Sequence, residues 1–165
     1  MNEFKKSSLS ILIPQVDGLE LKAATKSDLE NLRVWKNSQK QFFFHQQDIS
    51  EQQQSEWYSA YEKRPYDLLL MTIFKGETFG CMGIRWLDGF WDIYNVILGE
   101  ASFGKKGLMS NAFKALLDFA LDLKFAPITL QVLKHNPAVE WYQRNGFIIA
   151  EEHNIYFMMK FDSIK

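Results

Sequence analysis

Apolar positions along this chain change their period several times, and each change marks an element. Residues 19–24 alternate apolar and polar, as a strand with one buried face does. Leu29, Leu32 and Trp35 then recur at helical spacing. Thr25 and Asp28 stand ahead of them as a capping box, which predicts a helix over 25–36. Phe42-Phe43-Phe44-His45 falls in a loop. Ser50 and Gln53 form a second box, and Arg64-Pro65 stops the helix behind it. Residues 66–75, 78–87 and 90–98 read as three strands joined at Gly76 and at Asp88-Gly89, a strong hairpin turn. Gly80 and Gly83 inside the second of them suggest bulges.

A long amphipathic helix follows over 106–124, carried by Leu108, Ala112, Leu116 and Ala120. Pro127 separates it from a strand at 128–133. Asn136 and Pro137 open a short helix that Gly146 closes, and strands at 147–151 and 156–161 end the pattern. The order is β-α-α-β-β-β-α-β-α-β-β. Residues 1–18 read as an N-terminal appendage, and 19–162 as a single domain.

Composition narrows the class. A chain of 165 residues with 47% hydrophobic content can bury a substantial core. A formal net charge of -1 gives no bulk attraction to nucleic acid or to an anionic membrane, so neither is expected as a partner. No apolar stretch is long enough to span a bilayer. Cys81 is the single cysteine and excludes an intrachain disulfide, so a cytoplasmic location is expected. Its apolar setting marks a buried structural thiol.

The candidate chemistry begins at Gly104-Lys105-Lys106-Gly107-Leu108-Met109, between a strand and the long helix. Glycines let backbone approach a ligand closely, and the first helical N–H groups have no partner within the helix. With the helix dipole they make a seat for phosphate or pyrophosphate. One reading is a P-loop: Gly99, Gly104 and Lys105 have its spacing. Lys106, however, stands where a hydroxyl would hold magnesium, and would repel the ion.

The other reading is a resemblance. The turn is similar to the pyrophosphate loop of the GNAT superfamily of acyl-CoA-dependent N-acetyltransferases, [QR]-x-x-G-x-[GA]. Gly107 matches the central glycine. Gly104 stands in place of Gln or Arg, and Met109 in place of Gly or Ala. The stretch Val132-Leu133-Lys134-His135-Asn136-Pro137-Ala138-Val139-Glu140-Trp141-Tyr142-Gln143-Arg144-Asn145-Gly146-Phe147 resembles the family's strand, Asn, helix, Tyr and Gly-Phe segment. In the family the Asn binds the pantetheine arm, and a Tyr seven residues on serves the departing thiolate. Here Asn136 lies six residues before Tyr142 and His135 seven, so either could take the pantetheine contact. Trp35-Lys36-Asn37 is similar to the Trp-Arg-Asn of a subgroup that includes ribosomal-protein N-terminal and nucleotide-amino-sugar acetyltransferases.

The resemblance implies an α/β fold with a mixed, mostly antiparallel sheet of about seven strands and about four helices. It implies acetyl-CoA as co-substrate, no metal, and transfer of acetyl to a primary amine of a small molecule, for instance a nucleotide-linked amino sugar. A protein N-terminus, a P-loop NTPase and a non-catalytic CoA-binding protein are the alternatives. The strand carrying Ile97 and Leu98 should splay from its neighbour to meet the pantetheine. Gly104, Lys105, Lys106, Gly107, Leu108, Met109 and Ser110 should surround the pyrophosphate, with Asn136 beyond. Tyr142 is the expected proton donor. His45, Asp92 and Glu100 are the candidate bases, with Phe42 to Phe44, Trp57, Trp86 and Trp91 around the acceptor. A monomer or homodimer is expected.

Overall fold

The computed structural model describes residues 3–162. They form one eight-stranded, mostly antiparallel sheet with four α-helices. The strands are β1 (Ser10–Leu12), β2 (Leu19–Ala23), β3 (Asp67–Phe74), β4 (Glu77–Leu87), β5 (Phe90–Leu98), β6 (Ile128–Leu133), β7 (Phe147–Glu152) and β8 (Tyr156–Phe161). The helices are α1 (Leu29–Ser38), α2 (Glu51–Glu62), α3 (Leu108–Leu123) and α4 (Ala138–Arg144). The sheet order is β1-β2-β3-β4-β5-β6-β8-β7, and β5 with β6 is its one parallel pair.

The strand beyond the expected seven is β1, which pairs with β2 inside the stretch read as an appendage. Its three residues are too short for a periodicity to show. Ile13 is buried just after it, and the Phe4 ring stacks on Trp91 at 6.4 Å.

Local chemistry sets the helix starts. The Thr25 N–H donates to Asp28 Oδ2 at 2.8 Å, and a 3-10 turn at Lys26–Asp28 leads into α1. Ser50 and Gln53 cap α2 reciprocally, at 3.2 and 2.9 Å. The central strands are buried on both faces, so β3 is mostly apolar from Leu68 onward, broken only by buried Thr72. Leu68 and Leu70 pack towards α3 with Phe113 and Leu116. Leu69 and Met71 pack towards α1 and α2 with Leu32, Trp35 and Tyr61. Trp86 and Trp91, expected around an acceptor, instead pack edge to face at 5.1 Å against the α3 core, and Trp91 is fully buried.

Candidate active site

Two irregularities of β5 shape the site. The first is its separation from β6: pairing runs from Trp91 with Ile128 to Ile93 with Leu130 and stops there. Beyond Ile93 the two strands diverge, as expected, and open a V in the sheet. The second is a bulge against β4, where Cys81 faces Ile97 but Gly83 already faces Tyr94. Asn95 takes up the extra residue in a left-handed conformation, φ 48°. Ile93 and Ile97 would share a face in a regular strand; the bulge puts them on opposite ones. Ile97, expected at the cofactor, therefore lies under α1 and α2, and Val96 lines the opening beside Leu98. The Leu98 carbonyl is already taken by Gln39 Nε2 at 2.9 Å.

On one side of the V lies a cleft of about 510 Å³, between the end of β5 and the starts of α3 and α4. Gly104, Lys105, Gly107, Leu108, Met109 and Ser110 line it. Gly107 precedes α3 at φ 72°, a conformation that disfavours a side chain, and no side chain caps the helix. The first intrahelical bond comes from Asn111 N–H, so the N–H groups of Leu108, Met109 and Ser110 remain available to an anion. Met109 packs partly into the core beside this seat. Ser110 Oγ accepts from Trp141 Nε1 at 3.1 Å, which ties α3 to α4. Lys106 is exposed, with its ammonium 5.6 Å from the Phe103 ring, and does not line the cleft.

Asn136 lies at the junction. Its Oδ1 accepts from the Ala138 N–H at 2.8 Å, and its Nδ2 donates to the Phe42 carbonyl at 3.3 Å. Asn136 lines the cleft; His135 does not, and its Nε2 instead meets the Gln41 carbonyl at 2.8 Å.

Through the V, past Phe42, Phe43, Val96 and Asn136, the cleft adjoins a second cavity of about 430 Å³. Tyr142, His45 and Asp92 all border it. Tyr142 is buried among Phe113, Trp141 and Phe147, and its hydroxyl has no hydrogen-bond partner among the described residues. Burial pushes the phenol well above its ordinary range, so it stays a donor. His45 is exposed at the cavity mouth. Asp92 is held by Arg85 at 2.8 Å; burial raises its carboxyl from the ordinary value and the guanidinium opposes this. Both guanidinium contacts fall on Oδ2. Glu100 is engaged too, accepting from Trp35 Nε1 at 3.1 Å.

A third cavity, about 330 Å³, runs from the V beneath α1 and α2, with Trp57 among its walls. Here lies the residue that sequence reasoning passed over. Lys36 lines both this cavity and the second one. Its ammonium donates to Asn95 Oδ1 and sits 3.5 Å from the Phe43 ring centroid. Burial lowers its pKa to about 8. The one sequence signal was its place in Trp35-Lys36-Asn37, where the resembling subgroup has Arg.

The lowered value has a stability consequence. Between about pH 8 and the unfolded value of 10.5, the unfolded chain binds the proton and the folded chain does not, so stability rises with pH there. Below that window the buried charge costs on the order of 3 kcal/mol, offset by about 1 kcal/mol from the Asn95 bond. Lys36→Met should therefore melt about 4–8 °C above the wild type near pH 7. The gap should narrow towards pH 10. Cys81 and His45 are the other titratable side chains on the inner cavity and are common to both proteins. Melting curves of the two proteins across pH check this, and a less stable variant near pH 7 contradicts it.

The family profile of the acetyltransferase (GNAT) domain matches residues 19–148. The chain belongs to the GNAT acetyltransferases. Among solved structures, RimL, a ribosomal L7/L12 alpha-N-protein acetyltransferase in complex with coenzyme A, is 19% identical. It superposes with a TM-score of 0.71 over 92% of this chain and 95% of its own. FdhC, a nucleotide-linked sugar GNAT, is 14% identical with a TM-score of 0.74, covering 88% and 86%. A spermidine N-acetyltransferase from Vibrio cholerae, with CoA and spermine, is 18% identical with a TM-score of 0.73, covering 87% and 94%. At these identities the likeness is one of fold. No curated protein sequence matches this one.

Membership of the GNAT family removes the P-loop reading, and the geometry says why its spacing misled. A Cβ on Gly99 would fall 2.1 Å from Trp35 Cε2, so this glycine admits an indole ring.

Proposed function

We propose that this GNAT protein moves acetyl from acetyl-CoA to a primary amine of a small molecule. The observation that carries the reading is continuity: the cleft with the uncapped helix and the cavity with the unpartnered tyrosine meet in the V of the sheet. The residues suit the co-substrate. Gly107 leaves backbone room beside the amides of Leu108, Met109 and Ser110, Lys105 adds positive charge, and Asn136, Val96 and Leu98 continue the groove towards Tyr142. Acetyl-CoA supplies the thioester; attack by the amine forms an N–C bond and breaks the C–S bond.

Tyr142 donates a hydrogen bond to the departing sulfur. A thiol has a pKa of about 8.5 and a phenol of about 10, and burial widens that difference, so stabilisation by the bond outweighs full proton transfer. The proton lost by the amine goes to His45, directly or through water, because Asp92 and Glu100 are engaged with Arg85 and Trp35. A nucleotide-linked amino sugar is one acceptor of the proposed kind.

The test is thermal. Acetyl-CoA at about 100 times its dissociation constant should add about 2.7 kcal/mol, a rise of about 5–10 °C. Mg-ATP should add nothing comparable. A shift with Mg-ATP alone, or with neither, would remove the proposal. Consumption of acetyl-CoA with a panel of amines then separates an enzyme from a protein that only binds the coenzyme.

A further inference from the structure

We propose that Lys36 binds an anionic group of the acceptor: the amine this protein acetylates also carries a carboxylate or a phosphate. The inference rests on the acetyltransferase reading of the site and specifies its substrate.

Lys36 stands where the second cavity passes into the inner one. An ammonium has three N–H donors. One meets Asn95 Oδ1, and the Phe43 ring covers another side. No carboxylate among the described residues pairs with it; Cys81, a thiol, is the one titratable group whose charge bears on it. Buried cations are ordinarily paired, because the interior otherwise leaves them uncompensated. Asp92 and Glu100 are engaged elsewhere, with Arg85 and with Trp35 Nε1. A substrate anion completes the pair. It would bring a charge-assisted hydrogen bond into a site of low polarity, where such bonds are strongest.

The inner cavity has a second polar group facing it. Gln54 is 8% exposed as a residue, and its side-chain amide, which makes no hydrogen bond to another described residue, is open to the cavity. It stands there with Trp57, Leu32, Ile49 and Leu69. An amide open to a cavity can donate to or accept from a ligand there. The cavity thus offers an apolar wall, a polar amide and a cation near the V. The same cation disfavours a polyamine, whose further ammonium groups it would repel.

Matched acceptors test this: an α-amino acid against its carboxamide, and a hexosamine phosphate against the free hexosamine, each followed by acetyl-CoA consumption. A charge-assisted bond predicts that the anionic member has about 10–100-fold higher kcat/KM in the wild type, mostly through KM. Lys36→Met should bring that ratio to about one, and Lys36→Arg should keep it. A neutral member used equally well, or discrimination that survives Lys36→Met, overturns the proposal. A second arm is independent of turnover. With saturating CoA filling the cleft, acetate and inorganic phosphate should stabilise the wild type more than Lys36→Met, and the stronger of the two names the group. Equal shifts in both proteins overturn the anion site even if no amine in the panel is acetylated, which is the separate failure of the acetyltransferase reading.

Discussion

Tyr142→Phe should lower kcat by about 10²–10⁴-fold while leaving the KM for acetyl-CoA nearly unchanged. The proposed role of the hydroxyl is confined to charge that develops on sulfur as the C–S bond breaks, so its loss is felt in the transition state and hardly in binding. Phenylalanine fits the same space among Phe113, Trp141 and Phe147. The hydroxyl it removes has no partner among the described residues, so folding loses no hydrogen bond. The melting temperature should therefore hold or rise slightly. Steady-state kinetics beside a melting curve make the check. Unchanged turnover takes Tyr142 out of the mechanism, and reduced turnover with a collapsed melting temperature would assign it a structural role instead.

Gly99→Ala is the substitution expected to harm folding most for its size. The added methyl would lie 2.1 and 2.2 Å from Cε2 and Cδ2 of Trp35, whose indole is 4% exposed and packs with Leu32, Tyr61 and Met71. A rigid buried ring cannot swing aside without opening that cluster and releasing its bond to Glu100. Overpacking of this kind costs about 3 kcal/mol, a fall of about 6–12 °C in melting temperature. The rise on adding acetyl-CoA should persist, because Gly99 does not line the cleft. An unaltered melting temperature would mean that the indole moves freely. A selective loss of ligand response would return Gly99 to the loop's chemistry.

Much of the framework was legible because it rests on local chemistry. The capping boxes at Thr25 and Ser50, the Asp88-Gly89 turn and the strand at Phe90–Leu98 needed only neighbours within a few residues. The cradle at Gly107 was legible for the same reason: a glycine, a bare helix start and a long amphipathic helix are contiguous in the chain. Long-range packing was less so. Composition marks Trp57, Trp86 and Trp91 alike as large and apolar, yet Trp57 lines a cavity, Trp91 fills the core beneath α3 and Trp86 packs half-buried against that core. Gly99 has the spacing of a phosphate loop and the function of a packing glycine, and the ring that decides between them lies 64 positions earlier in the chain.

By itself, then, the sequence determined the elements other than β1, the positions of their caps and turns, and the motifs through which the chain resembles the GNAT acetyltransferases, since all of these are written in short-range spacing. Tertiary structure decided which side chains face which cavity. The bulge at Asn95 shifts the alternation of β5 by one residue, carrying Ile97 to the opposite face and leaving Val96 and Leu98 in the opening. It also places the Asn95 amide against Lys36. A lysine at the end of an amphipathic helix reads as a surface charge. It becomes a largely desolvated cation without a carboxylate partner among the described residues only when α1 closes over the sheet, because the low polarity that makes such a charge costly exists only in the folded packing.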